Sequence, residues 1–166
     1  ALVSAGVAGG LDPALRPGDA LFPERVVFPD GVEMRADPAL LGRTTPHTIL
    51  AADAIAATAD DKRRLREATG ADAIDLETAA VARAGLPFAV LRAICDPAER
   101  DLPPAALIAL DAAGAIGAGQ VLASVLARPG QIPALLRLAS DAARARKSLA
   151  FAAASLYWPG RDPSDR

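Results

Sequence analysis

Cysteine, histidine and aromatic residues are nearly absent from this chain: one Cys, one His, and 4% Phe, Trp and Tyr. A lone cysteine excludes an internal disulfide and fits a reducing, cytoplasmic setting. One histidine and one cysteine are too few soft ligands for a zinc site, so no metal is expected. No uncharged apolar run reaches the roughly 18 residues that a membrane helix needs. No charged segment leads into a short apolar run of the signal-peptide kind. Positive charge is not in excess, with 18 Lys and Arg against 20 Asp and Glu and a net charge of −2. A nucleic-acid partner, which calls for a basic face, is therefore not expected. The glycines of Gly6-x-x-Gly9-Gly10 do not match Gly-x-Gly-x-x-Gly, which disfavours a nicotinamide site. No cofactor is expected.

What the chain does have is apolar mass, 52% of its 166 residues, enough for one domain with a real core. A single domain is expected over 1–158, followed by a polar tail over 159–166. Apolar runs predict strands near Ala1–Ser4, Ala20–Val27, Val32–Arg35, Thr48–Ala52, Ala71–Asp75 and Phe88–Cys95. Phe28-Pro29-Asp30-Gly31 carries hairpin-turn chemistry. Asp37-Pro38 reads as an N-cap and first-turn proline opening a short helix to Leu41. Asp60 or Asp61 is expected to cap a helix ending at Gly70, and a short helix is expected from Glu77 to Ala84, closed by Gly85. From Pro103 onward helices are expected over Ala105–Leu110, Ile116–Ala127 and Pro133–Tyr157, broken at Gly114 and at Arg128-Pro129-Gly130. Strand, helix and strand around Glu77 read as a βαβ unit, so the class is α/β with a mixed or parallel sheet and a helical C-terminal end.

Two acids stand where strands hand over to the next segment. Asp75-Leu76-Glu77 follows one apolar run, and Asp96 ends Phe88-Ala89-Val90-Leu91-Arg92-Ala93-Ile94-Cys95. Ligands of open α/β sheets sit beyond the carboxyl ends of the strands, so acids there are placed to meet one. The glycines of Ser4-Ala5-Gly6-Val7-Ala8-Gly9-Gly10 let backbone approach a ligand at a third strand end.

Three blocks, in order, resemble the nucleoside phosphorylase and nucleosidase superfamily (purine nucleoside phosphorylases and methylthioadenosine/S-adenosylhomocysteine nucleosidases). Ser4 to Leu11 with Leu15-Arg16-Pro17-Gly18-Asp19 resembles its glycine-rich strand end and Leu-x-x-Gly-Asp turn. Asp75-Leu76-Glu77-Thr78-Ala79-Ala80 resembles its Met-Glu-x-x-Ala block, and Arg92-Ala93-Ile94-Cys95-Asp96 its Arg-x-Ile-Ser-Asp block. The stretches Asp96 to Pro104 and Arg128-Pro129-Gly130-Gln131 are most similar to the hopanoid-associated branch. The resemblance implies a three-layer phosphorylase-type fold, a central mixed sheet flanked by helices, here lacking its first strands. That accounts for a chain whose first residues, Ala1-Leu2-Val3, read as the middle of a strand. It also leads us to expect that this stretch alone lacks the upstream elements catalysis needs.

The resemblance further implies cleavage of the N-glycosidic bond of a purine, specifically adenine, nucleoside. Phosphate is the expected co-substrate and an adenosyl-hopanoid an expected substrate; hydrolysis of the methylthioadenosine type, or a non-catalytic binding domain, are the alternatives. It makes Asp96 the general acid at the purine, Glu77 the acceptor of ribose hydroxyls, and Leu76 the residue beneath the ribose in place of Met. Ile55, Asp75 and Cys95 are assigned to the purine pocket, and Val7, Ala8 and Gly9 to the phosphate or ribose loop. Simpler readings stand beside these. Asp96 before Pro97 could cap a turn, Glu77 could be a solvated first-turn acid, and Asp75 a strand-end cap. Arg92 reads as a support for the acids through a salt bridge, Cys95 as a small buried residue, and His47 as a surface or strand-edge residue. Val7 offers no hydroxyl to an anion. Arg63-Arg64 reads as a solvated face, and the Leu- and Ala-rich C-terminal helices as core or, alternatively, a peripheral membrane contact. The family implies a homo-oligomer.

Overall fold

A computed structural model describes residues 1–111 and 118–156. The expected break at Gly114, the helix start at Ile116, Tyr157 and the tail over 159–166 lie outside them.

The strands are β1 (Leu2–Gly10), β2 (Ala20–Leu21), β3 (Pro23–Val27), β4 (Glu33–Arg35), β5 (Thr45–Ala51), β6 (Ala73–Asp75) and β7 (Phe88–Asp96). They form one mixed seven-stranded sheet in the order β2-β7-β1-β6-β5-β3-β4. The helices are α1 (Ala59–Thr69), α2 (Thr78–Ala82), α3 (Pro104–Asp111), α4 (Ala118–Ala127) and α5 (Ile132–Ala154), with 3-10 turns at Pro38–Leu41 and Pro129–Gln131. This is the α/β class with a mixed sheet.

The expected strand Ala20–Val27 divides at Phe22. Leu21 ends β2, at one edge of the sheet, and Pro23 begins β3, next to the other edge. One residue cannot span a flat sheet of that width, since strands lie about 4.8 Å apart. The sheet therefore curls back on itself. Phe22 closes the gap, exchanging backbone hydrogen bonds with Thr45 through its carbonyl and with the Thr45 hydroxyl through its N–H.

The curl corrects the expected βαβ unit at Glu77. β6 and β7 are not neighbours; β1 runs between them, parallel to β7 and antiparallel to β6. The five-residue α2 turns the chain without making a parallel crossover. The true βαβ unit is β5–α1–β6, whose strands pair in parallel.

Helix α1 starts two or three residues earlier than its acids implied. Thr58 is the N-cap: its hydroxyl accepts the Asp61 N–H, and the Asp61 carboxylate accepts the Thr58 N–H. Asp61 is thus the third residue of a capping box rather than the cap. Gly70, at φ 67°, closes the helix as expected, in a conformation that few side chains adopt. Asp37 and Pro38 open the 3-10 turn as expected, and β3 and β4 form the hairpin across Pro29-Asp30-Gly31.

Strand β7 is apolar and buried along nearly its whole length, because β1 and β2 flank it and helix α5 covers one of its faces. Leu91, fully buried, packs with Phe22, Leu41, Ala89 and Ala152 of α5. Leu91→Ala is expected to cost about 2–5 kcal/mol in urea unfolding, whereas Val3→Ala, at a part-exposed site, should cost well under that.

Candidate active site

The pairing of β1 with β7 is regular from Leu2↔Phe88 to Ala8↔Ile94, then slips so that Gly9 faces Asp96. Cys95 is the extra residue of a bulge, a feature that re-aims side chains at strand ends. On the other side of β1, Gly9 is the register partner of Ile74, one residue before Asp75. The two acids therefore flank the end of β1 from opposite neighbours, although their strands run in opposite directions. A Cβ at Gly9 would press on Ile74 at 3.2 Å and stand 4.0 Å from an Asp96 oxygen, so the glycine keeps this strand end narrow.

A cavity of about 470 Å³ opens here. Val7, Ala8 and Gly9 of β1, with Cys95 and Asp96 of β7, form one wall. Asp75, Leu76 and Glu77 form a second, and Ile55 with Lys62 a third. Leu102, Ala106, Leu138 and Ala142, from α3, α5 and the loop before α3, add an apolar side. Every residue assigned to the site from sequence thus borders a single cavity.

Arg92 organises the second wall from beneath. It is fully buried and donates from Nε to Asp75 at 2.6 Å, and from Nη2 to the hydroxyls of Ser4 at 2.5 Å and Thr78 at 3.0 Å. Nη1 reaches Glu77 at 3.4 Å. The other Asp75 oxygen accepts the N–H groups of Glu77 and Thr78. Both Asp75 oxygens are committed to the start of α2 and to Arg92, so this carboxylate shapes the wall and keeps no free acceptor for a purine. Glu77 differs: its side chain is 73% exposed, touches only the edge of the guanidinium, and stands free at the cavity. Gly6 admits this arrangement, since a Cβ there would lie 2.5 Å from Arg92 Nη1 and 2.9 Å from Glu77 Oε2.

Asp96 is held from the third wall. Lys62, 1% exposed, donates to Asp96 Oδ2 at 2.5 Å and to the carbonyls of Pro97 at 2.9 Å and Arg100 at 2.8 Å. Asp96 Oδ1 is buried and has no hydrogen-bond partner. Burial pushes the Asp96 carboxyl above its ordinary value, outweighing the opposing ammonium of Lys62. Burial, reinforced by the charge of Asp96, pushes the Cys95 thiol up to about 11, which leaves it protonated and a poor nucleophile.

Lys62 escaped the sequence reading because it opens the basic run Lys62-Arg63-Arg64, and Arg63 and Arg64 are indeed exposed, paired with Asp60 and Asp61. Its signal was helical spacing. Leu65 and Arg66 at i+3 and i+4 share its face, and both turn inward, Leu65 onto the core and Arg66 to Asp12 and Asp72. His47 lies on β5 in a separate polar groove, away from this cavity. No group of His, Cys, Asp and Glu able to hold a metal occurs among the described residues.

The family model described as "Phosphorylase superfamily" matches residues 1–128. Comparison with curated proteins finds no match. Among solved structures, the chain is similar to a 5'-methylthioadenosine/S-adenosyl homocysteine nucleosidase of Helicobacter pylori, with TM-score 0.52 and 23% identity over 58% of this chain and 55% of that one. It is equally similar to the futalosine hydrolase of the same organism, with TM-score 0.52 and 23% identity over 58% and 55%. A butyl-thio-DADMe-Immucillin-A complex of the Helicobacter pylori nucleosidase matches 93% of this chain and 68% of its own, with TM-score 0.56 and 20% identity. The chain thus spans about half to two-thirds of the length of these structures, which share its fold.

Removing one partner of a buried ion pair leaves the other charge uncompensated. Arg92→Met is therefore expected to destabilise the protein by about 3–5 kcal/mol in urea unfolding, and Asp75→Asn in the same chain should recover part of that loss.

Proposed function

As this chain belongs to the phosphorylase superfamily, we propose that it carries the base- and sugar-binding part of an enzyme that cleaves the N-glycosidic bond of a purine nucleoside. One observation carries the reading. A buried acid with an unpartnered oxygen and a free, exposed carboxylate border the same mostly apolar cavity.

Breaking this bond builds positive charge on the sugar and negative charge on the departing base. Asp96 would supply a proton to the base. Burial holds its carboxyl protonated to higher pH than an ordinary aspartate, as a general acid requires. Glu77 would accept the ribose hydroxyls, fixing the sugar and placing an anion near the developing cation. Leu76, half exposed at the cavity, would pack under the ribose. Ile55 and the Cys95 thiol would line the base, with Asp75 acting through the shape of the wall.

The resemblance to the hopanoid-associated branch supports phosphate as acceptor and an adenosyl-hopanoid as substrate. The apolar side formed by Leu102, Ala106, Leu138 and Ala142 supports a substituent of that character. Exposed Leu126, Leu136 and Phe151 on α4 and α5 support peripheral contact with a lipid surface or another subunit; among the described residues no helix is long and apolar enough to cross a membrane. A second reading, hydrolysis, is favoured by the lining itself. Lys62 is the cation among the described residues lining this cavity, and its three protons are already donated, while Val7 and Ala8 offer no hydroxyl.

Adenine release from adenosine or methylthioadenosine should fall about 10²–10⁴-fold in Asp96→Asn. Glu77→Gln should raise KM and lower kcat together. The acid must be protonated, so kcat should decline as pH rises through the elevated Asp96 value, and Asp96→Asn should lack that decline. Unchanged turnover in Asp96→Asn would refute the acid role. A rate that requires phosphate identifies phosphorolysis; equal rates with and without it identify hydrolysis.

A further inference from the structure

We infer that Lys62 is a positioning residue for Asp96: it holds the carboxyl through Oδ2 and stabilises the carboxylate left after the proton has gone. The inference rests on the acid role proposed above for Asp96 and adds to it a residue from a different element.

The ammonium has three protons and three acceptors: Asp96 Oδ2, the Pro97 carbonyl and the Arg100 carbonyl. None remains for a ligand, so Lys62 neither binds substrate nor serves as a nucleophile. A carboxyl group with one oxygen already accepting from an ammonium takes up its proton on the other oxygen. Here that is Oδ1, buried and without a partner. An unpartnered buried polar atom is costly, and such atoms are tolerated where function uses them. The two carbonyls pin the chain that follows Asp96. Asp101, one residue on, accepts the Ala59 N–H in the first turn of α1, so the loop and the helix are tied at two points.

In the step itself, the N-glycosidic bond breaks with its electron pair passing to the base. The proton leaves the Asp96 carboxyl for a ring nitrogen of the base, and Asp96 becomes an anion. Lys62 keeps all its protons and faces that anion at hydrogen-bond distance in a dry setting, where charge pairing is strong. The cationic anomeric carbon left on the sugar is captured by water or phosphate, and the proton that this nucleophile releases returns to Asp96 through solvent. Other charged or titratable groups around Asp96 are Arg100 in the following loop, Asp141 on α5, and Cys95 beside it; Asp75 and Glu77 border the same cavity. Arg100 is already paired with Asp141 at 2.6 Å, which leaves Lys62 as the cation that contacts Asp96 directly.

The test is titration of the Asp96 carboxyl by NMR in protein labelled with 13C-aspartate, its signal identified by loss in Asp96→Asn, alongside the pH profile of adenine release. Lys62→Met should raise the Asp96 midpoint by about 1–3 units, shift the alkaline decline of kcat by the same amount, and lower its plateau. Lys62→Arg, which keeps the charge, should restore most of the midpoint. A midpoint that does not move in Lys62→Met overturns the inference, as does a moved midpoint with unaltered kcat. If Lys62→Met does not fold, the unaltered protein gives the answer: the Lys62 Nζ resonance should follow the Asp96 titration, and independence of the two overturns the pairing. Turnover that survives in Asp96→Asn removes the acid role and this inference with it, whereas loss of turnover there with an unmoved midpoint in Lys62→Met removes this inference alone.

Discussion

A fully buried guanidinium holds this site together. Arg92 reaches side chains from β1, β6 and the start of α2 while standing on β7 itself. Its charge cannot stay in a dry interior without an anion and a full set of acceptors. Asp75 supplies the anion, and the hydroxyls of Ser4 and Thr78 supply the remaining acceptors. Once these are satisfied, the turn after β6 has one arrangement, and Glu77 is delivered to the rim of the cavity with its carboxylate unspent. The stability of the core and the position of the candidate ribose acceptor thus share one constraint.

Three acids within one small region consequently meet three environments. Asp75 is saturated by donors, Glu77 is solvated with one distant contact, and Asp96 is buried with one oxygen held by Lys62 and the other left alone. Identical chemistry is divided into structural support, surface anion and, in the function proposed here, proton carrier by surroundings alone. Two buried cations achieve this from opposite sides. Arg92 rises from the strand next to β1, and Lys62 descends from the crossover helix α1. Each fixes one acid and leaves another atom free.

Much of this was readable along the chain. The apolar runs at β1, β5, β6 and β7, the turn glycines, and the hairpin at Pro29-Asp30-Gly31 follow local rules that hold wherever the segment ends up. The site blocks were readable because their acids close apolar runs. Lys62 was not, because a lysine followed by two arginines looks like a wet face until helical phase is weighed against its neighbours Leu65 and Arg66. The bulge at Cys95 was not readable either: a one-residue slip between two apolar strands leaves no trace in their composition. Nor was the break at Phe22, where a continuous strand-like run serves two distant positions of one sheet.

By itself, the order of residues determined which segments become strands and helices, where they stop, and which acids stand at their ends, since these depend on backbone preference and on neighbours a few positions away. The curl of the sheet decided the rest. It set β1 between a parallel neighbour, β7, and an antiparallel one, β6, brought Asp75 and Asp96 to the two sides of Gly9, and lowered α1 so that Lys62 lost its water. A charge deprived of water must find a partner at once, and which partner lies within reach is a property of the folded chain in three dimensions, not of any stretch of it.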